Sequence, residues 1–218
     1  MRYITKTFIL SLFIAIVMAL TTNAQVKNIE VQLKGKAKEV NVTKDNAAIK
    51  FLAKHSFDEN KPLIDTILKH PNDYNPTVLY VLSRVLFNNE QKDEASFWFY
   101  VAQLRSRYDF NRCNDQSCSG AVAQLTAIFG PDINQYAIPQ TDFLGKTIDR
   151  VVDFVQNNKE NYDQRWINLD GMAVMQTSLG GKDTPEMSKP EKDWPAIKSE
   201  TIKTYYSDFK EYLASKKK

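Results

Sequence analysis

The chain has 218 residues, with 29 Lys and Arg against 26 Asp and Glu, 43% hydrophobic residues and 25% charged residues. That balance suits one globular domain, or two small ones, and excludes a disordered chain. Its seven glycines are about half the usual share, which argues against a loop-rich β-sandwich and a glycine-cradled nucleotide site.

Residues 1–24 have the pattern of a secretory signal. Arg2 and Lys6 precede a thirteen-residue apolar run, Phe8 to Leu20, broken only by Ser11, and small residues Thr22 and Ala24 flank a cut before Gln25. The run is short of the roughly 20 residues a membrane span needs, so no stable membrane insertion is expected after cleavage. No cysteine lies near the cut, which excludes lipidation there. Removing the signal leaves 27 basic and 26 acidic residues, so the basic balance of the precursor does not point to nucleic acid. Lys216, Lys217 and Lys218 suit a helix C-terminus, where cations complement the dipole.

Residues 25–44 form an N-terminal arm. Ile29, Val31 and Leu33 alternate with polar residues, as do Val40 and Val42 across a Lys34-Gly35-Lys36 turn; this predicts a short β-hairpin or an extended arm. A helical domain is expected over residues 45–177. Ala48, Phe51, Leu52 and His55 share one helical face behind an Asp45/Asn46 cap. Leu63, Ile64, Ile67 and Leu68 share the next, with Pro62 placed in its first turn and a stop near His70-Pro71.

Leu79, Leu82, Val85 and Leu86 mark a helix that Asn88-Asn89 ends, and a second runs over 93–107. The latter is apolar nearly all round from Ala95 to Ala102, which places it centrally in a core or at an interface. Val122, Leu125, Ile128 and Phe129 mark a helix that Gly130-Pro131 is expected to end. Leu144, Ile148, Val151, Val152 and Val155 form a strong amphipathic helix behind Thr141. Residues 162–175 read as a helix or two turns, and 178–194 as a loop with Gly180-Gly181, Pro185 and Pro190. A last helix begins near Pro195 and carries Ile202, Tyr205, Tyr206, Phe209 and Leu213 on one face, packed on the same domain. The fold class expected is all-α, an irregular helical bundle.

Leu79, Leu82, Ser83, Leu86, Ala95, Phe99 and Ala102 fall at the large and small packing positions of a 34-residue helical hairpin. In these residues the segment from Asn75 to Tyr108 resembles a single tetratricopeptide or Sel1-like hairpin. The resemblance implies that Ala95 allows close helix approach and that Phe99 fills the groove. Arg107 stands where such repeats usually have proline, and upstream Lys61 and Asp65 fall on the small and aromatic sites. One hairpin inside an irregular fold is therefore expected, not a solenoid.

Cys113 and Cys118 flank a polar loop, and export permits a disulfide between them; two free thiols or a metal pair are the alternatives. Zinc needs four ligands and no second cysteine pair or nearby histidine exists, so no metal and no cofactor are expected. Arg105, Arg107, Tyr108 and Arg112 form the densest polar cluster. They read either as a clamp for a carboxylate or an acidic partner surface, or as helix-end charges paired with Asp109 or Asp115. His55 is expected to be partly buried and His70 to sit at a helix end. No metalloprotease, serine-hydrolase or nucleotide-binding pattern occurs. The leading expectation is an exported module that binds another protein, with an immunity or inhibitor protein as one form. The alternatives are a periplasmic hydrolase built from acidic residues and His55, and a structural envelope component.

Overall fold

A computed structural model describes residues 32–182 and 186–216. The signal segment and residues 25–31 of the arm lie outside the described residues. The described residues are all-α: eight α-helices joined by short 3-10 turns, without a strand. The helices are α1 (Thr43–Lys54), α2 (Phe57–Lys69), α3 (Pro76–Asn88), α4 (Lys92–Asn111), α5 (Ser119–Ala137), α6 (Thr141–Asn157), α7 (Met172–Ser178) and α8 (Trp194–Lys216).

Helix α4 is the axle. It packs against α3, α5, α6 and α8, while α1 adds to α3 and α8 lies across α6. This all-round contact explains a helix without a polar face. Phe97, Trp98, Phe99, Tyr100 and Val101 are all buried, so the aromatic run belongs to the core and not to an interface. Its rings meet edge-on: Phe97 and Trp98 each pack against Phe154 of α6 at 5.8 and 5.5 Å, and Tyr100 meets Phe209 of α8 at 5.5 Å. The expected stripes of α6 and α8 supply the other side, with Leu144, Ile148, Val151, Val155, Tyr205 and Leu213 buried.

The structure corrects several local expectations. The described part of the arm is no strand: Gly35–Glu39 is a 3-10 turn. Gly35 starts it at φ +55°, a left-handed conformation that glycine adopts without strain, and the turn buries Ala37 with Val40 following. The alternation of Val40 and Val42 reflects packing of an irregular segment. Asp45 does not cap its own helix; it is buried and accepts from the backbone N–H of Asn75 at 2.8 Å. Asn75 in turn caps α3, accepting from Thr77 N–H at 3.0 Å.

Helix α2 starts at Phe57, five residues before Pro62, because Ser56 and Glu59 form a reciprocal capping box. Pro62 is therefore interior. Helix α5 likewise passes through Gly130-Pro131 to Ala137. Proline costs an interior helical hydrogen bond. The turn beyond it buries Ile133 and Ala137, and Arg84 ties the two turns together, donating to Ile128 O at 2.8 Å and Asp132 Oδ2 at 2.7 Å. Gly130 also admits Phe99: a Cβ there would lie 3.2 Å from the Phe99 Cζ.

Candidate functional site

The loop between α4 and α5, residues 112–118, begins with Arg112, the last residue of the polar cluster read from the sequence. Arg112 is buried, its guanidinium 4.1 Å from the Tyr108 ring centre and 4.8 Å from that of Trp194. Between those rings it donates to Asp109 Oδ1. The other Asp109 oxygen accepts from Trp166 Nε1 at 2.7 Å and the Tyr162 hydroxyl at 3.0 Å. The carboxylate is thus satisfied on both oxygens in a buried setting, and the network locks the end of α4 to residues 162–166.

The other arginines point elsewhere. Arg105 is fully buried, donates to Pro71 O at 3.3 Å and to Asn72 Oδ1, and lies 5.1 Å from the Phe154 ring centre. Arg107 faces α8, 3.8 Å from Asp208 and 5.1 Å from the Tyr205 ring. Tyr108 is buried, with its hydroxyl donating to Trp194 O at 3.4 Å. The structure brings Tyr108 and Arg112 together but spreads Arg105 and Arg107 to other sides of α4. Only Arg112 takes a partner that the helix-end reading named, Asp109; Arg105 pairs with residues 71–72 and Arg107 with Asp208.

The cysteine loop is a hub. Asn114 donates its backbone N–H to Met187 O at 3.0 Å, and its side-chain amide to Glu186 O and Ser188 O at 2.8 and 3.0 Å. Lys189 N–H donates to Arg112 O at 2.8 Å, and Cys113 and Ser188 form an isolated antiparallel bridge. Residues 186–190, expected as part of an open loop, are therefore pinned, with Met187 buried. On the other side Asp115 Oδ2 accepts from Ala173 N–H at 2.9 Å and Ser117 Oγ from Met172 N–H at 2.8 Å, anchoring the first turn of α7.

Cys113 and Cys118 are buried free thiols with sulfurs 3.5 Å apart, a hydrogen-bonding separation and not the bond expected from the sequence. Asn168 Nδ2 donates to the Cys113 sulfur at 2.9 Å. The hydrogen bond with Cys118 holds the Cys113 thiol below its ordinary pKa against the effect of burial, with Asn168 assisting. The same contact, together with burial, pushes Cys118 up.

Helix α7 is apolar on both sides. Its inner residue Val174 packs with Ala37, Val40 and Met187 in a small core of its own. Its outer face carries Met172 and Met175, 51% and 49% exposed, and Leu179, 69% exposed, follows at its C-cap. Their i, i+3, i+7 spacing puts them in one stripe. Beside the helix lies a cleft of about 210 Å³ lined by Asn114, Asp115, Asn168, Ala173, Val174 and Met187. It shares Glu186 and Met187 with a larger cleft of about 560 Å³. Lys36, Asp163, Arg165, Lys189, Glu191 and Trp194 line the latter. Four of its charges are paired: Arg165 holds Asp163 through two hydrogen bonds of 3.0 and 2.8 Å, and Lys36 holds Glu186.

Sequence reasoning did not single out this face. Met172 and Met175 fall in a segment that reads as a helix or two turns and Leu179 in the expected loop; what reveals the face is that Val174 takes the inner position. His55 is exposed, not partly buried; its ring stacks on Phe51 at 4.0 Å and its Nδ1 lies 2.9 Å from Phe51 O. His70 caps the end of α2. Neither histidine lines either cleft. Asp58 and Glu59 fall in the first turn of α2, and Glu160 pairs with Lys198 at 3.3 Å. Among the described residues no three His, Cys, Asp or Glu side chains converge to hold a metal ion, and no helix is long and apolar enough to cross a membrane.

Comparison of the chain with protein-family models, curated proteins and solved structures found no match.

Proposed function

We propose that the protein is an exported module that binds another protein through the face formed by α7 and the adjoining clefts. The observation that carries this is the exposed Met172, Met175 and Leu179 stripe on a helix whose inner face is already buried. Water-exposed apolar side chains grouped on one face have the composition of the apolar centre of a contact surface. Methionine suits such a surface because its unbranched side chain adapts to a partner's shape. The partner chemistry this favours is a peptide or helix face presenting apolar side chains flanked by charge. An immunity or inhibitor role is one form of this reading. Export rests on the pattern of residues 1–24.

The hairpin of α3 and α4 is proposed to be one tetratricopeptide-like unit serving as scaffold. In support, Leu79, Leu82, Ser83, Leu86, Ala95, Phe99 and Ala102 are all fully buried. That assigns the hairpin to the core and leaves α7, not a repeat groove, for the partner.

The test is a quantitative pull-down from envelope extract with mature wild-type protein and with the Met172→Ser/Met175→Ser/Leu179→Ser variant. A protein captured by the wild type and lost with the variant, at unchanged melting temperature, supports the reading. Equal capture by both overturns it.

A further inference from the structure

We propose that Cys113 and Cys118 form a redox-sensitive clasp that sets how firmly the α7 face is held. The regulatory meaning rests on the face being a partner surface, as proposed above; the clasp itself is read from the geometry of the loop.

The two sulfurs are the closest pair of oxidisable groups at the hub of the face. They lie 3.5 Å apart, and a covalent bond of about 2 Å is a short side-chain movement away. Three of the four residues between them bond to the face. Asn114 holds three consecutive carbonyls, those of Glu186, Met187 and Ser188. Asp115 and Ser117 hold the first two N–H groups of α7. Asn168 reports on both sides at once, donating to the Cys113 sulfur at 2.9 Å and to Met187 O at 3.0 Å. Gly171 completes the coupling, since a Cβ there would fall 2.8 Å from the Cys118 sulfur. The start of α7 therefore packs closely on the Cys118 sulfur and on Asp115.

Closing the clasp needs a disulfide oxidant of the glutathione or dithiol-oxidoreductase class. The Cys113 thiol gives up its proton and attacks a sulfur of the acceptor disulfide, whose bond breaks and whose departing sulfur takes a proton. The Cys118 thiol, losing its proton in turn, attacks the Cys113 sulfur of the mixed disulfide. The Cys113–Cys118 bond forms, the acceptor's second sulfur leaves as a thiol, and the protein has lost two hydrogens and two electrons. Loop 112–118 then has its ends joined covalently. The hydrogen bonds it makes to residues 172–173 and 186–189 open less often.

The test uses the mature wild-type chain, incubated with oxidised glutathione or with a phosphine reductant, and then followed by intact mass, thiol labelling after denaturation, and amide hydrogen exchange. The expected oxidised product has lost two hydrogens, takes up no label, and exchanges the amides of residues 172–173 and 189, which the loop holds, about tenfold more slowly than the reduced protein. Thiols that stay fully labelled, or glutathione adducts that never resolve to the internal bond, overturn the proposal. So does a formed bond with unchanged exchange at those amides. Because exchange is read without a partner, loss of partner capture in both redox states with the exchange response intact would overturn the binding reading and leave the clasp standing.

Discussion

Arg112 donates to Asp109 while its guanidinium lies between the rings of Tyr108 and Trp194. Through this contact the end of the central helix grips both the start of α8 and residues 162–166. Removing one partner of a buried pair strands the other charge. Arg112→Ala is expected to cost about 3–5 kcal/mol, and Arg112→Lys to restore only part of that, because an ammonium does not spread flat between two rings. Urea unfolding of the three proteins checks this. A loss below about 1 kcal/mol for Arg112→Ala would contradict the network's role.

Phe99 and Gly130 meet across α4 and α5, and their substitutions should couple. Phe99→Ala empties a buried aromatic site and is expected to cost about 3–5 kcal/mol. Gly130→Ala gains up to about 1 kcal/mol of helix propensity, but its Cβ would lie 3.2 Å from the Phe99 ring and 3.1 Å from Asn134 Nδ2. Relief of the ring contact in the double variant should make Gly130→Ala more favourable there than in the wild type. Additive melts within about 0.5 kcal/mol would contradict this packing.

Asp45 gives a pH dependence. Burial raises its pKa above the ordinary carboxylate value, against the lowering effect of the Asn75 N–H. A folded-state value above the unfolded one contributes stability below the unfolded pKa, and that contribution is lost as pH rises through the folded value. Asp45→Asn keeps an acceptor for Asn75 and never ionises. It should melt higher than wild type near pH 7, with the advantage fading as the pH falls through the raised folded value and gone below about 4. Asp45→Ala leaves the buried Asn75 N–H without its partner and should cost about 1–3 kcal/mol. A wild type more stable than Asp45→Asn at neutral pH would reverse the sign.

The all-α class and the cores of α4, α6 and α8 could be read from the sequence, because hydrophobic periodicity over long segments reports directly on burial. The misreadings arose where a local signal competed with a distant one. Pro62 and Pro131 read as boundaries, yet a capping box at Ser56/Glu59 and the Arg84 bridge to Ile128 and Asp132 carry helices through them. Val40 and Val42 alternate like a strand but pack as an irregular segment. For the candidate face, the arginine cluster attracted attention through charge density, and burial of Arg105 and Arg112 was invisible without partners brought in from residues 71–72, 154, 166 and 194. The α7 stripe was unreadable for the converse reason. Exposure depends on what fails to pack against a helix, and sequence alone does not state that.

The most direct measurement is photo-crosslinking in intact cells, with a photoreactive phenylalanine analogue placed at Met175 or, as a control on the opposite end of the fold order, at Phe51. Both positions are exposed, at 49% and 39%. Function through the α7 face predicts a discrete crosslinked adduct of defined mass from position 175 and none from position 51. An adduct from position 51 alone, or no adduct from position 175 with the variant folded and exported, would contradict it.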